Sequence, residues 1–222
     1  ATCFATKEMF DKYYLNIDSD EKTITIAFVL YGFSSQDANL NSDVGLWIQD
    51  VTHVAEVELT QRLGVKIALE ITNIVIAPTK LSTEIGYQTS GVQMHGPAIL
   101  TEVENNYKNS LNPDIICVIT KLTFYSEDLN ERLGFSTSTT LCEKMVPILL
   151  TFNSETEDNV PSTAKLLADL IISSRNYVNW STFYKKGDYF DGCNIRHRPK
   201  GDEDDDPDTY YVLPFDEDQY YG

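Results

Sequence analysis

The chain has 222 residues, 42% of them hydrophobic, which is ample for one sizeable core or two small ones. Its 34 acidic residues against 17 basic ones give a net charge of −17, which repels nucleic acid and anionic membranes and favours a cationic partner. No run approaches the ~18 apolar residues of a membrane span, because Thr, Lys or Glu interrupts the longest candidates.

Residues 22–32, KTITIAFVLYG, alternate and are rich in β-branched side chains, which predicts a strand. In residues 42–63, Leu46, Trp47, Val51, Val54, Val57 and Leu63 recur near helical period, and Gly64 closes that helix. Residues 65–77 read as a second strand ending before Pro78, residues 97–109 as a shorter helix, and residues 113–126 as a buried third strand. GFSTSTTLC (134–142) and MVPILLTFN (145–153) read as two more strands. In VPSTAKLLADLIISSR (160–175), Ser162 or Thr163 is the expected cap, behind Pro161. Leu166, Leu167, Leu170 and Ile171 form the expected inner stripe of that helix, with Lys165 and Asp169 one turn apart beside it. A last short helix is expected from Ser181 towards Lys186. Strands alternating with helices predict an α/β fold with a mixed sheet, and no internal repeat is visible.

The chain divides near Pro199 into a globular part, residues 1–198, and an acidic tail, residues 199–222. Nine carboxylates fall between Asp202 and Asp218, with no base beyond Lys200, so the tail is expected to be disordered on its own. Four dispersed cysteines, Cys3, Cys117, Cys142 and Cys193, contain no C-x-x-C and suit two disulfides of a secreted protein, with three possible connectivities. The sequence opens at Ala1, as after removal of a leader, and Asn179-Trp180-Ser181 is an N-glycosylation acceptor, which points the same way. His53, His95 and His197 are expected on a helix, in a loop and at the tail boundary, too scattered to serve as ligands. No G-x-S-x-G, P-loop or dinucleotide fingerprint occurs, so no cofactor is implied.

The order of elements, with LCEKMVPILLTFN leading into STAKLLADLIISSR, resembles the metzincin metalloproteases in their reprolysin-like branch. It is similar to the secreted salivary metalloprotease-like proteins of blood-feeding ticks. The resemblance implies a metzincin-like mixed sheet with long helices. In active members the Thr-Ala pair opens H-E-x-x-H-x-x-G-x-x-H, which sets His ligands and a general-base Glu around zinc. Here Lys165 stands for the first His, Leu166 for the Glu, Asp169 for the second His and Arg175 for the third. Two cations and an aliphatic side chain cannot hold or use a dication, and one carboxylate does not complete a site that needs three ligands. The Met expected beneath the zinc is missing as well, since the methionines are Met9, Met94 and Met145. Lys165 and Asp169 are expected to pair with each other at i, i+4. The resemblance therefore implies a pseudoprotease without metal or catalysis. It also implies a Cys142–Cys193 disulfide, leaving Cys3 with Cys117.

Binding features remain. Tyr210, Tyr211, Phe215, Asp216, Glu217, Asp218, Tyr220 and Tyr221 interleave aromatics with acid, the setting of tyrosine sulfation. This resembles exosite-binding tails of blood-feeder thrombin inhibitors and predicts a cationic secreted host protein, thrombin or a chemokine, as partner of a monomer. The expected function is interference with haemostasis or inflammation. The alternative is an integrin antagonist: Lys186-Gly187-Asp188, before Cys193, resembles the recognition loop of snake-venom disintegrins.

Overall fold

The structure is a computed structural model that describes residues 16–194. The first strand, β1 (Glu21–Leu30), leads through a 3-10 turn (Ser35–Asp37) to the long helix α1 (Asp43–Leu63). Ser42 caps α1 by accepting from Gly45 N, and Gly64 ends it at φ +64°, a left-handed position that suits glycine. The buried stripe of α1 runs through Val44, Trp47, Ile48, Val51, Ala55 and Leu59, while Leu46 and Val57, expected inside, face solvent. Next come β2 (Lys66–Ile76) and α2 (Thr79–Tyr87), a helix whose Leu81 and Ile85 are buried but whose short length hid it in the sequence. Then follow β3 (Thr89–Ser90), β4 (Gln93–His95), α3 (Gly96–Tyr107) and β5 (Ile115–Thr120).

The stretch expected as one third strand breaks after Thr120. There the Thr120 and Thr151 hydroxyls both donate to Leu122 O, at 2.8 and 2.9 Å, and the chain restarts as β6 (Thr123–Tyr125) in another sheet. The strand expected over 134–142 is cut to β7 (Gly134–Phe135), after which the Ser136 hydroxyl bonds Pro147 O instead of extending the ladder. The chain closes with β8 (Val146–Thr151), a one-turn helix α4 (Ser154–Glu157), α5 (Val160–Ser173), α6 (Tyr177–Thr182) and a 3-10 helix over Lys186–Gly192. The last helix thus starts earlier than expected.

The main sheet has the order β2-β1-β5-β8-β7, with β7 antiparallel to four parallel neighbours. β3, β4 and β6 form a small second sheet. Every residue of β5 and β8 is buried, which is why both read as unbroken apolar runs. Ile115, Cys117 and Ile119 face the core under α1 and α5, and Ile116 and Val118 face the one under α2 and α3. The result is a mixed α/β fold of three layers.

At the sheet edge, α1 reaches over β2. Thr60 Oγ1 accepts from Ile67 N at 3.0 Å and Glu56 Oε2 from Leu69 N at 2.9 Å, so two outward-facing amides are already taken. Further along, β2 carries a bulge where the register shifts between Ile26 and Ala27.

The two ends of the described chain meet beneath β1. Asp114, fully buried just before β5, accepts from Thr25 N and Thr25 Oγ1 at 2.8 Å, and from Asn194 N at 2.9 Å. The Asn16 amide donates to Phe190 O at 2.7 Å and to Thr23 O at 2.8 Å, while its oxygen accepts from Thr23 N at 2.8 Å. Buried Lys22 joins Asn16 O at 2.6 Å and Asp191 at 2.7 Å. Cys142 and Cys193 form a disulfide, and Gly192 beside it has no room for a Cβ, which would sit 2.5 Å from Cys142 O. Cys117 is a free thiol within β5, and Cys3, expected as its partner, lies outside the described residues. Burial pushes the Cys117 thiol well above its ordinary range and keeps it unreactive.

Asp114→Ala should lower stability in urea unfolding by about 3 kcal/mol or more, because it strands several buried donors at once. Replacing both Cys142 and Cys193 with serine opens a link across 51 residues, worth about 4 kcal/mol in the chain-entropy account. In the native protein, iodoacetamide should leave Cys117 unmodified until denaturant is added, as peptide mapping of the alkylated chain would show.

Candidate functional site: the outer face of α5

Asn159 caps α5 by accepting from Ser162 N at 3.2 Å, not Ser162 or Thr163 as expected. The Thr163 hydroxyl instead donates to Thr156 O at 3.2 Å and to Asn159 O at 3.1 Å, which joins α5 to α4. Thr163, Ala164, Leu167, Ala168 and Ile171 face inward and are buried, against the sheet and α1. Leu166 and Leu170 are only half-buried, so the inner stripe is centred one position away from the expected one. Lys165 and Asp169 consequently stand on the exposed side.

They border a groove of about 280 Å³ lined by Leu133, Glu155, Thr156, Asn159, Ser162, Thr163, Lys165, Leu166 and Asp169. Three of the four positions that the resemblance aligns with a metal motif, Lys165, Leu166 and Asp169, therefore do share one surface. Leu166 and Leu170 press on Gly134 of β7, where an added Cβ would lie 3.0 Å from each. Aliphatic carbon thus fills the wall at this point. Asp169 does not pair with Lys165, as expected, but with Arg62 of α1 at 2.6 Å. Geometry explains the change: the C-terminal end of α1 runs beside α5, and the Arg62 guanidinium takes the carboxylate from another element. Among the described residues, no three His, Cys, Asp or Glu side chains converge as a metal-ion site.

Arg175, the fourth position, leaves the groove. Its guanidinium stacks over Trp180 at 4.1 Å, and its Nε donates to Ile172 O at 3.0 Å. Burial draws the Arg175 pKa down, and nearby Arg62 adds to this while Tyr189 and Tyr177 oppose it. Trp180, Phe183, Tyr189 and Phe190 form edge-to-face pairs around it at 5.3–5.8 Å. The Tyr189 hydroxyl donates to Leu141 O at 2.8 Å and accepts from Asn176 N at 2.9 Å, which fixes α6 to the disulfide region.

Lys186-Gly187-Asp188 opens the 3-10 helix instead of standing at a loop tip. The Lys186 ammonium donates to Trp180 O and Phe183 O, both at 2.9 Å, so the cation of the tripeptide is occupied within its own chain. That geometry gives the integrin reading no support. Asn179 is exposed on α6, and its amide donates to Glu143 at 2.5 Å, a bond a glycan would have to replace. His53 is exposed on α1, and His95 ends β4 beside the Tyr125 ring, 5.2 Å away, rather than lying in a loop. His197, the boundary near Pro199 and the tail residues Tyr210, Tyr211, Phe215, Asp216, Glu217, Asp218, Tyr220 and Tyr221 all lie outside the described residues.

The sequence reading missed one surface. Tyr177, Val178 and Tyr184 are 77%, 72% and 101% exposed, unusual for side chains of this size clustered on one short segment. A signal was present: the run 170–187 contains Arg175, Lys185 and Lys186 but no acid, in a chain of net charge −17.

No family model matches the chain, and no curated protein matches its sequence. Among solved structures it is similar to archaemetzincin of Methanopyrus kandleri, at 11% identity and a TM-score of 0.45, over 77% of this chain and 87% of that one. The Arg62–Asp169 pair is half-exposed, so a double-mutant cycle with Arg62→Ala and Asp169→Ala should give a coupling below about 1 kcal/mol that shrinks with added salt.

Proposed function

We propose that this chain is a non-catalytic, secreted binding protein. Its α/β domain is a degenerate metzincin-like scaffold, and its acidic, tyrosine-rich C-terminal segment engages a cationic surface of another secreted protein. The observation that carries the non-catalytic part is the state of Asp169, the one carboxylate at the degenerate positions, which is committed to Arg62. Leu166 beside it has no proton to exchange, and Lys165 would repel a metal ion. What supports the binding part is charge. Nine carboxylates between 202 and 218 speed association with a basic patch, and the interleaved Tyr and Phe supply apolar contact once docked. A protein of the clotting or inflammatory systems with a cationic exosite, thrombin first and a chemokine second, has the chemistry to meet it.

The test compares the full chain with a form ending at Lys200, titrated against thrombin and against a basic chemokine at low and high salt. The full chain should bind at least tenfold more tightly at low salt, and the gap should narrow as salt rises. Neutralising Asp216, Glu217 and Asp218 should slow association, whereas Phe215→Ala should shorten the lifetime of the complex. Equal affinity of both forms for both targets rejects the tail as the binding element. Cleavage of casein by the zinc-supplemented chain rejects the non-catalytic reading.

A further inference from the structure

We propose that the aromatic–cationic face of α6 and the turn after it is a docking site for the chain's own acidic segment, residues 202–218. The segment 175–185 carries Arg175, Tyr177, Val178, Trp180, Tyr184 and Lys185. Three of these, Tyr177, Val178 and Tyr184, are large side chains mostly or wholly in solvent, and the Arg175 guanidinium lies over the Trp180 ring at 4.1 Å. Among the described residues neither Arg175 nor Lys185 has an ion-pair partner, and Lys185 is exposed while Arg175 is half-buried. No acid lies between Asp169 and Asp188 in sequence, and Asp169 itself is committed to Arg62; in space the exposed Glu143 carboxylate lies against α6, where it accepts from the Asn176 and Asn179 amides. Exposed tyrosine rings with the exposed ammonium of Lys185 beside them fit a peptide that alternates carboxylates with tyrosine and phenylalanine.

The chain carries such a peptide, and the described part of it ends in the right place. Phe190 lies 5.8 Å from the Trp180 ring, and three residues later Cys193 is tied to Cys142 while Asn194 is held by Asp114. Seven residues separate Asn194 from Asp202, eight steps of the chain and a reach of up to roughly 28 Å when extended. Tethering at that distance gives an effective concentration on the order of millimolar, so weak docking suffices. The rival surface, a cleft of about 670 Å³ between α3 and the loop before β8, offers Lys108 and Lys144. It is otherwise lined by serine and threonine hydroxyls, Glu104, Asn112 and Met145, with no aromatic side chain to receive tyrosine rings. Docking on α6 makes the face an internal substitute for the cationic partner and restrains the tail until that partner displaces it.

This inference extends the reading of the tail as a binding segment. Its test uses no partner, so the two can fail separately. The full-length protein is treated with a water-soluble carbodiimide, which joins lysine amines to carboxylates in direct contact, and the monomeric product is mapped by mass spectrometry. Lys185 should be joined to carboxylates within residues 202–218, with the yield falling at least fivefold in molar salt and in Tyr177→Ser/Tyr184→Ser. Those two residues are exposed, so the variant should keep the native circular dichroism that makes its result interpretable. In parallel, Trp180 emission should change with salt in the full chain but not in a form ending at Lys200. Absence of the Lys185 cross-link, cross-links confined to Lys108 or Lys144, products found only between two molecules, or yields indifferent to both salt and the tyrosine substitutions would each overturn the proposal.

Discussion

A buried carboxylate holds the two ends of this domain together. Asp114 sits where β5 begins and receives the amide and hydroxyl of Thr25 in β1 and the amide of Asn194 at the end of the described chain. A charge removed from water is costly unless its lone pairs are filled, and here donors from distant elements fill them. The arrangement stabilises only when β1, β5 and the C-terminal turn are all in place. Folding of the sheet centre and closure of the chain end are thereby one cooperative event, which the disulfide at Cys193, next to Asn194, makes harder to reverse. The Asp114 charge also reaches Glu70, whose pKa is raised mainly by burial and secondarily by this neighbour.

From that anchored end the surface chemistry of the molecule follows. The 3-10 helix must run under β1 to bring Asn194 to Asp114, and on the way it presents Tyr189 and Phe190 to Trp180. α6 is therefore packed through its aromatic side and leaves Tyr177 and Val178 outside. The same constraint separates Arg175 from the α5 groove, because the chain turns away after Ser174 to reach α6. Lys165, Leu166 and Asp169 are thus left on the α5 groove, and Arg175 is drawn off to the ring of Trp180.

Much of the layered fold could be read from periodicity. Strands buried on both faces announce themselves as apolar runs, and β1, β2 and β8 stand within a residue or two of where alternation placed them. Boundaries governed by side-chain hydrogen bonds could not be read so well. Nothing in the composition of KLTFYS says that Thr120 and Thr151 will both bond Leu122 O and end a strand, and a cap at Asn159 competes with two hydroxyls that look equally suitable. Partner choice was least legible. The i, i+4 spacing of Lys165 and Asp169 is a local fact, whereas the approach of Arg62 is a tertiary one. The free state of Cys117 is of the same kind, since only its place at the sheet centre removes it from reach.

The edge of β2 has a bearing on how the protein behaves in crowded solution. A strand of eleven residues at the end of a sheet is a template on which a second chain can lay down a strand of its own, the first step of fibrous assembly. Glu56 and Thr60 already hold the amides of Leu69 and Ile67. An incoming backbone would have to displace a carboxylate and a hydroxyl and leave them wanting partners. Two ordinary surface residues of a helix thus act as a guard against templated self-association along the first half of that edge, at no cost to the core beneath.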